Sequence, residues 1–208
     1  MREYMDNIFI YSLLDAPAPP AWILERAQAA RADDVPNQVT MNNWGDDFVH
    51  RPLYKDGKTY RNSFNISVFL DDECLSWART NITKSAKDIR STITRPGLER
   101  CGAHIDRTRN YTLMYLLEDG GDDHSTVFYR EKGTDELVRP REYHVDDYDQ
   151  LDEIKRVKLK LNSWNLVQAR VLHSIENISN GRVSIQISLD NMPDDLLLVD
   201  PVFLNYEK

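Results

Sequence analysis

Residues 182–189 read Arg-Val-Ser-Ile-Gln-Ile-Ser-Leu, and this stretch decides the fold class. Apolar and polar side chains alternate along it, which is the pattern of a β-strand that buries one face. The polar face carries one charge, Arg182, whereas another alternating stretch carries Lys158 and Lys160 on its polar face. The polar face of a strand often faces solvent, but the lack of further charges favours a polar pocket wall here.

The same two-residue period extends over the second half of the chain, after Gly97. Residues 110–117 are apolar at most positions, which is typical of a strand that is covered on both faces and lies in the middle of its sheet. Alternating stretches separated by turn residues therefore predict a β domain in this half.

The N-terminal section, residues 1–97, shows a mixed pattern that predicts two packing helices and flanking strands. Residues 19–20 are both proline and pre-set the first turn of one helix. Residues 71–72 are both aspartate, and either one can cap the N terminus of the second helix. Apolar runs over residues 8–14 and 65–70 predict strands.

Residues 118–153 carry a large excess of aspartate and glutamate over lysine and arginine. Such a segment is typical of a solvated surface loop, and this is the interpretation that we favour. The alternative is a lid over a pocket, with Tyr143, His144 and Tyr148 as substrate contacts.

The bulk composition argues against several classes of function. The chain has 208 residues and a formal net charge of -8, which suits one globular domain. An acidic protein without a Lys/Arg-rich run lacks the basic face that tracks nucleic-acid phosphates. The charged N terminus and two cysteines outside any metal-type spacing, Cys74 and Cys101, predict a cytoplasmic protein with no membrane span.

His104 and Asp106 are two residues apart, so on a strand both side chains would point to the same face. Three further histidines compete with His173 as a second imidazole ligand: His50, His124 and His144. Only His173 is followed at a suitable interval by an arginine on the next strand, Arg182. Two imidazoles and one carboxylate leave three positions of an octahedral iron open.

Simpler interpretations exist for each of these residues. His173 alone could bond a neighbouring carbonyl group at a strand end. Arg182 could form a salt bridge to Asp106 or to an aspartate of a loop. The interpretation of His173 weakens when Arg182 and Ser184 are added to the pattern. The salt bridge of Arg182 stays open on these residues, although a guanidinium and a hydroxyl on one uncharged face also suit a carboxylate ligand.

The pattern His104-x-Asp106, His173, Arg182-x-Ser184 resembles the Fe(II)/2-oxoglutarate-dependent oxygenases, over roughly residues 98–189. Residues 102–106 and 110–113 most resemble the aspartyl/asparaginyl-hydroxylase-like and phage-borne members. The resemblance implies an α+β fold whose core is a double-stranded β-helix, of the jelly-roll or cupin-like type. It also implies one domain over 1–208, with the core over 98–190 and a C-terminal extension over 191–208.

The same resemblance implies the chemistry. His104, Asp106 and His173 would hold Fe(II), and Arg182 and Ser184 would bind the far carboxylate of the cosubstrate 2-oxoglutarate. Dioxygen is the third cofactor, and a ferryl oxidant would hydroxylate a small molecule, an amino acid or a peptide side chain. Members that halogenate lack the carboxylate ligand, so Asp106 favours hydroxylation. Candidate substrate contacts follow the metal dipeptide: Arg109, Asn110 and Tyr111.

Two other functions remain open on the sequence. One is a non-catalytic binding or structural protein on the same scaffold that retains a metal site, and the other is a cupin-type enzyme that does not use 2-oxoglutarate. Arg182 separates the first from an oxygenase, because a purely structural metal site has no use for an unpaired cation. In the second, Arg182 would bind the substrate itself.

Overall fold

The computed structural model of the chain describes residues 7–29, 52–55, 58–61, 65–94, 96–106, 108–139, 144–145 and 147–205. Two α-helices lie in these ranges, α1 (Ala21–Ala29) and α2 (Asp72–Asn81). The strands are β1 (Asn7–Leu14), β2 (Pro52–Lys55), β3 (Lys58–Arg61), β4 (Asn65–Phe69), β5 (Asp88–Thr94), β6 (Leu98–Arg100), β7 (Ala103–His104), β8 (Tyr111–Asp119), β9 (Ser125–Glu131), β10 (His144–Val145), β11 (Leu151–Val157), β12 (Trp164–Gln168), β13 (Leu172–Ile178), β14 (Arg182–Leu189) and β15 (Leu198–Asn205).

Two antiparallel sheets face each other. The larger has the strand order β15-β1-β12-β8-β14-β5-β4, and the smaller has the order β10-β7-β13-β9-β11, with β6 paired to β13. Met114 and Leu116 of β8 meet Phe128 of β9 in an apolar cluster, which joins the two inner faces. With its two helices, this is the α+β, double-stranded β-helix architecture that the sequence predicts.

Both helices cover the outer face of the larger sheet. Ile23 and Ala27 of α1 and Ala78 of α2 are fully buried against the apolar face of β14. The side chain of Asp71 caps α2 by accepting a hydrogen bond from the backbone N–H of Cys74 at 3.0 Å. The apolar side chains of β14 therefore point to the helices, and its polar side chains point inward, between the sheets.

Strands from both ends of the chain extend the larger sheet. β1, β4 and β5 come from the N-terminal section, and β15 pairs with β1 in the register Leu14 to Leu198. Within the described ranges, no helix is long and apolar enough to cross a membrane.

The acidic segment 118–153 is not the solvated loop that its charge predicts. Ser125–Glu131 forms β9, which is buried over most of its length and pairs with β13 and β11. The charges of this segment lie on turns and strand edges around that core strand. Of the alternative lid contacts, Tyr143 lies outside the described residues, whereas Tyr148 packs against Tyr129 on the outer face of the smaller sheet.

Candidate metal centre

Three predicted ligands converge between the sheets. His173 of β13 lies directly opposite His104 of β7, and the two ring centroids are 4.7 Å apart. One ligand atom from each of His104, Asp106 and His173 lies within 4.8 Å of the others. A single cation can contact atoms at that spacing, so the three residues form a candidate metal centre.

Asp106 reaches the centre by a different route from the predicted one. The sequence predicts that His104 and Asp106 share a strand, but β7 ends at His104. The backbone N–H of Asp106 donates instead to the carbonyl of Ala169 at 2.8 Å, and this bond fixes the loop that carries the carboxylate. The pairing of the two side chains therefore depends on a turn and not on strand alternation.

Both imidazoles are oriented by backbone carbonyls. Nδ1 of His104 lies 2.8 Å from the carbonyl oxygen of Gly102, and Nδ1 of His173 lies 2.9 Å from that of Val171. A neutral ring in this arrangement donates its Nδ1–H to the carbonyl and keeps the lone pair on Nε2. Both Nε2 atoms are therefore set up as ligands.

The charges around the centre favour an ionised Asp106. Burial raises the pKa of this carboxyl group, but the neighbouring Arg109 and the two imidazoles outweigh burial and hold the pKa well below its usual range. Arg109 donates through Nε to Asp106 Oδ2 at 2.7 Å, which occupies one carboxylate oxygen. Oδ1 has no hydrogen-bond partner within the described part of the chain, so it is available to a cation.

The pKa values of the two histidines shift in opposite directions. Burial, reinforced by the nearby His104, lowers the pKa of His173 to about 4, which keeps this ring neutral at pH 7. Burial also lowers the pKa of His104, but the neighbouring Cys101 and Asp106 outweigh it and raise the pKa to about 9. A metal cation in the centre would replace that proton as the partner of Asp106.

Arg182 is a buried cation on the inner face of β14. Its exposed fraction is 2%, and its Nη1 atom has no hydrogen-bond partner among the described residues. Burial lowers its pKa to about 10, although Cys101 and Asp119 act in the opposite direction. A guanidinium that is held in this way is costly unless an anion binds to it.

Cys101 influences the charge environment of both His104 and Arg182. Its thiol is a hydrogen-bonding neighbour of His104, and it also contributes to the charge environment of Arg182. Ser184 follows Arg182 on the same inner face and accepts a hydrogen bond from Gln186 Nε2 at 3.3 Å. The inner face of β14 is thus polar and buried.

The three predicted substrate contacts separate in the structure. Arg109 lies at the centre, bound to Asp106. Asn110 is exposed and donates to the carbonyl of Asp190, and Tyr111 packs against Phe9 in the cluster beneath the helices. Tyr111 therefore lies on the opposite face of β8 from the metal centre.

Of the other candidate histidines, the structure describes His124 and the backbone of His144. His124 is buried in a turn, where its Nδ1 lies 2.7 Å from the carbonyl oxygen of Gly121. His50 lies outside the described residues. The backbone of His144 in β10 pairs with that of His104 in β7.

Sequence reasoning missed several residues that surround the centre. Thr112 Oγ1 lies 3.4 Å from Asp106 Oδ2, and Arg170 Nη1 donates to the Asp106 carbonyl at 3.2 Å. From the sequence, Cys101 is only a cysteine outside any metal-type spacing. The period of β8 could have identified Thr112 as an inward residue, whereas the loop position of Arg170 gives no such signal.

The donor set fits a divalent first-row metal. Two imidazole nitrogens and one carboxylate oxygen are the ligands of the facial triad in non-haem iron enzymes, and Arg182 supplies a buried cation on the inner face of the opposite sheet.

Comparisons with known proteins give remote similarities. No protein-family model matches the chain, and no curated protein matches it. Among solved structures, the chain is similar to the non-haem α-ketoglutarate-dependent carbocyclase SnoK from nogalamycin biosynthesis (13% identity, TM-score 0.48), over 89% of this chain and 80% of that one.

Two further solved structures are similar to this chain over comparable fractions of its length. The epimerase SnoN, solved with Fe³⁺, α-ketoglutarate and a nogalamycin ligand, shows 10% identity over 90% of this chain and 80% of its own, with a TM-score of 0.49. AviO1 from Streptomyces viridochromogenes Tue57 shows 14% identity over 88% and 90%, with a TM-score of 0.45. The function proposed below rests on this chain's own residues.

Proposed function

We propose that the chain is an Fe(II)- and 2-oxoglutarate-dependent oxygenase. The observation that carries the proposal is the buried Arg182 on the inner face of β14, whose Nη1 has no hydrogen-bond partner among the described residues, together with the converging triad of His104, Asp106 and His173. A metal-binding protein without turnover has no need of that cation, and its burial is unfavourable until a carboxylate neutralises it.

Each residue then has a distinct task. His104 and His173 bind the metal through Nε2, and Asp106 binds it through Oδ1, while Arg109 holds the other carboxylate oxygen. Arg182 and Ser184 bind the far carboxylate of 2-oxoglutarate. When bound, Fe(II) supplies open positions for the 2-oxo acid and for dioxygen, and the oxidising power for hydroxylation of an unactivated C–H bond.

The proposed substrate is a small molecule, an amino acid or a peptide side chain. The wall that faces the centre is apolar at Phe128 and Met114, which are both buried between the sheets. Such a wall excludes water from the reacting atoms.

The test is anaerobic addition of Fe(II) and then 2-oxoglutarate, followed by visible absorption. We expect the weak charge-transfer band of the metal chelate to appear. His104→Ala, Asp106→Ala and Arg182→Ala should each abolish or shift the band, whereas Arg26→Gln, on the far side of the larger sheet, should not. Absence of the band, together with no stabilisation by 2-oxoglutarate, would contradict the proposal.

A further inference from the structure

A network of charged side chains on the inner face of the larger sheet has no role in the chemistry described above. Arg90 and Asp88 of β5 form an ion pair at 2.7 Å. Ser188 of β14 accepts hydrogen bonds from Arg90 Nη2 at 2.8 Å and from Arg109 Nη1 at 3.4 Å. Because Arg109 also binds Asp106, the contacts run without a break from Arg90 to a candidate metal ligand.

Each of the two arginines has one N–H donor group that the network does not use. The hydrogen bonds to Asp88 converge on Oδ1, from Arg90 Nε at 3.1 Å, from Arg90 Nη2 at 2.7 Å and from Ser188 Oγ at 2.8 Å. Arg90 Nη1 and Arg109 Nη2 have no hydrogen-bond partner in the ranges that the structure describes. Both side chains are mostly buried, with exposed fractions of 14% and 11%, and these two donors remain accessible to a ligand.

This region would carry a net positive charge with the metal and 2-oxoglutarate bound. The charges of Arg90 and Arg109 balance those of Asp88 and Asp106. A divalent metal adds two positive charges, and the chelating carboxylate of 2-oxoglutarate removes one of them. The second carboxylate is assigned to Arg182, so one positive charge remains in a largely buried region and favours a further anion.

An apolar surface lies next to the free donors. The guanidinium carbon of Arg90 sits 4.8 Å from the ring centroid of Phe69, which is opposite it on β4. Phe69 is 43% exposed, a high value for a phenylalanine on a sheet. We call Arg90, Arg109 and Phe69 the cationic corner.

We propose that the cationic corner binds the substrate of the oxygenase, and that this substrate carries a carboxylate next to an apolar or aromatic group. The carboxylate accepts from Arg90 Nη1 and Arg109 Nη2, and the apolar group covers the open part of the Phe69 ring. This inference rests on the proposed function.

The test compares phenylacetate with phenylacetamide, its neutral counterpart of the same shape. Each is titrated without oxygen into the chain loaded with Fe(II) and 2-oxoglutarate, and the perturbation of the chelate band gives the dissociation constant. We expect phenylacetate to bind at least about tenfold more tightly, because charge-assisted hydrogen bonds recognise only the anion.

Variants assign the preference to the corner. Arg90→Gln should remove most of the preference for phenylacetate, and Arg90→Lys should keep part of it. Phe69→Ala should weaken both ligands by a similar factor. Arg26→Gln is the matched control, because Arg26 also pairs with an aspartate, Asp71 at 2.8 Å, and lies 4.6 Å from the Trp22 ring, but on the helical layer.

The outcomes separate the two proposals. If the chelate band forms but the two ligands bind equally, or neither binds, the cationic corner is not a carboxylate site and the oxygenase proposal stands. If the unaltered chain forms no chelate band, the oxygenase proposal fails and this inference fails with it.

Discussion

The buried guanidinium of Arg182 lowers the stability of the ligand-free chain, and a bound carboxylate would offset that cost. It is 2% exposed, and the described residues give it neither an ion pair nor a hydrogen bond at Nη1. Replacing a buried, unpaired charge by an apolar side chain of similar volume is commonly stabilising.

We therefore expect Arg182→Met to raise the free energy of unfolding of the ligand-free chain by about 1–3 kcal/mol. The same change should abolish the thermal stabilisation that 2-oxoglutarate gives to the metal-loaded chain. Chemical denaturation and thermal melting measure the two effects. A variant that is less stable than the parent would show that Arg182 already has a counter-charge.

At this scale the sequence predicts some site residues and not others. His173 could be chosen from the sequence because its spacing to Arg182 suits neighbouring strands, and β14 alternates without interruption. Asp106 depends on the backbone bond to Ala169, and Arg109 on a side-chain bond to Asp106. Contacts between distant loops leave no periodic pattern, so the sequence could not separate Arg109 from Asn110 and Tyr111.

Among the elements, β13 joins the metal centre to a second buried network. His173 points to the inner face, whereas Glu176 lies on the outer face with an exposed fraction of 3%. Its carboxylate accepts hydrogen bonds from Tyr129 Oη, from Ser174 Oγ at 3.0 Å and from Arg156 Nη1 at 3.0 Å. Burial raises the pKa of Glu176, but the Tyr129 bond and the nearby cations outweigh it and lower the pKa.

Glu176→Gln should therefore reduce the stability at pH 7 by about 1–3 kcal/mol, a range that allows for the partly exposed Arg100 and Arg156. A lowered carboxyl pKa contributes stability above the unfolded value, which is roughly 4.3, and loses it as the pH falls. The difference between parent and variant should shrink below about pH 4, as measured by denaturant unfolding. Glu153→Gln, an exposed control, should stay within about 0.5 kcal/mol; a constant Glu176 difference down to pH 3 would contradict the account.

The turn between β8 and β9 supports the next prediction. Gly121 has φ +112°, and a Cβ atom there would lie 2.1 Å from Ser179 Oγ, in the turn before β14. Gly121→Ala should destabilise the chain by about 1.5–3 kcal/mol, because the Ser179 hydroxyl must move away from the new Cβ in addition to the backbone strain. Gly133→Ala has a similar φ of +79° and nothing within 4 Å, so only the strain of about 1 kcal/mol should appear. Equal melting temperatures of the two variants would contradict this packing.

The element pattern also shows where charge misled the prediction. β9 contains Val127, Phe128 and Tyr129, which are all buried, yet it lies within a strongly acidic segment. The average charge of the segment obscured a short apolar run. By contrast, β14 was predictable because its alternation extends over the whole strand, and β8 because its apolar run does.

At the scale of the whole molecule, the fold places both histidine ligands on the smaller sheet, Asp106 on the loop after β7, and Arg182 on the larger sheet. A metal should therefore stabilise the native state and not the unfolded chain. At a free Mn(II) concentration about one hundred times the dissociation constant, the expected gain is about 2.7 kcal/mol, seen as a rise in Tm that a chelator reverses. His173→Ala should show no such rise, and an equal rise in that variant would place the metal elsewhere.

The α+β class was predictable because alternation, turn chemistry and helix caps agree along most of the chain, whereas the β-helix core was implied only by the resemblance of the motif to a known family. The pairing of β1 with β15 at the edge of the larger sheet was not predictable. Pairing between strands that are far apart in sequence depends on which sheet edge is left open.

A crystal structure with Mn(II) and 2-oxoglutarate tests the central claim most directly. The account predicts one cation held by His104, Asp106 and His173, with the far carboxylate of 2-oxoglutarate on Arg182. A cation at another site, or a 2-oxoglutarate that leaves Arg182 without a carboxylate, would contradict it.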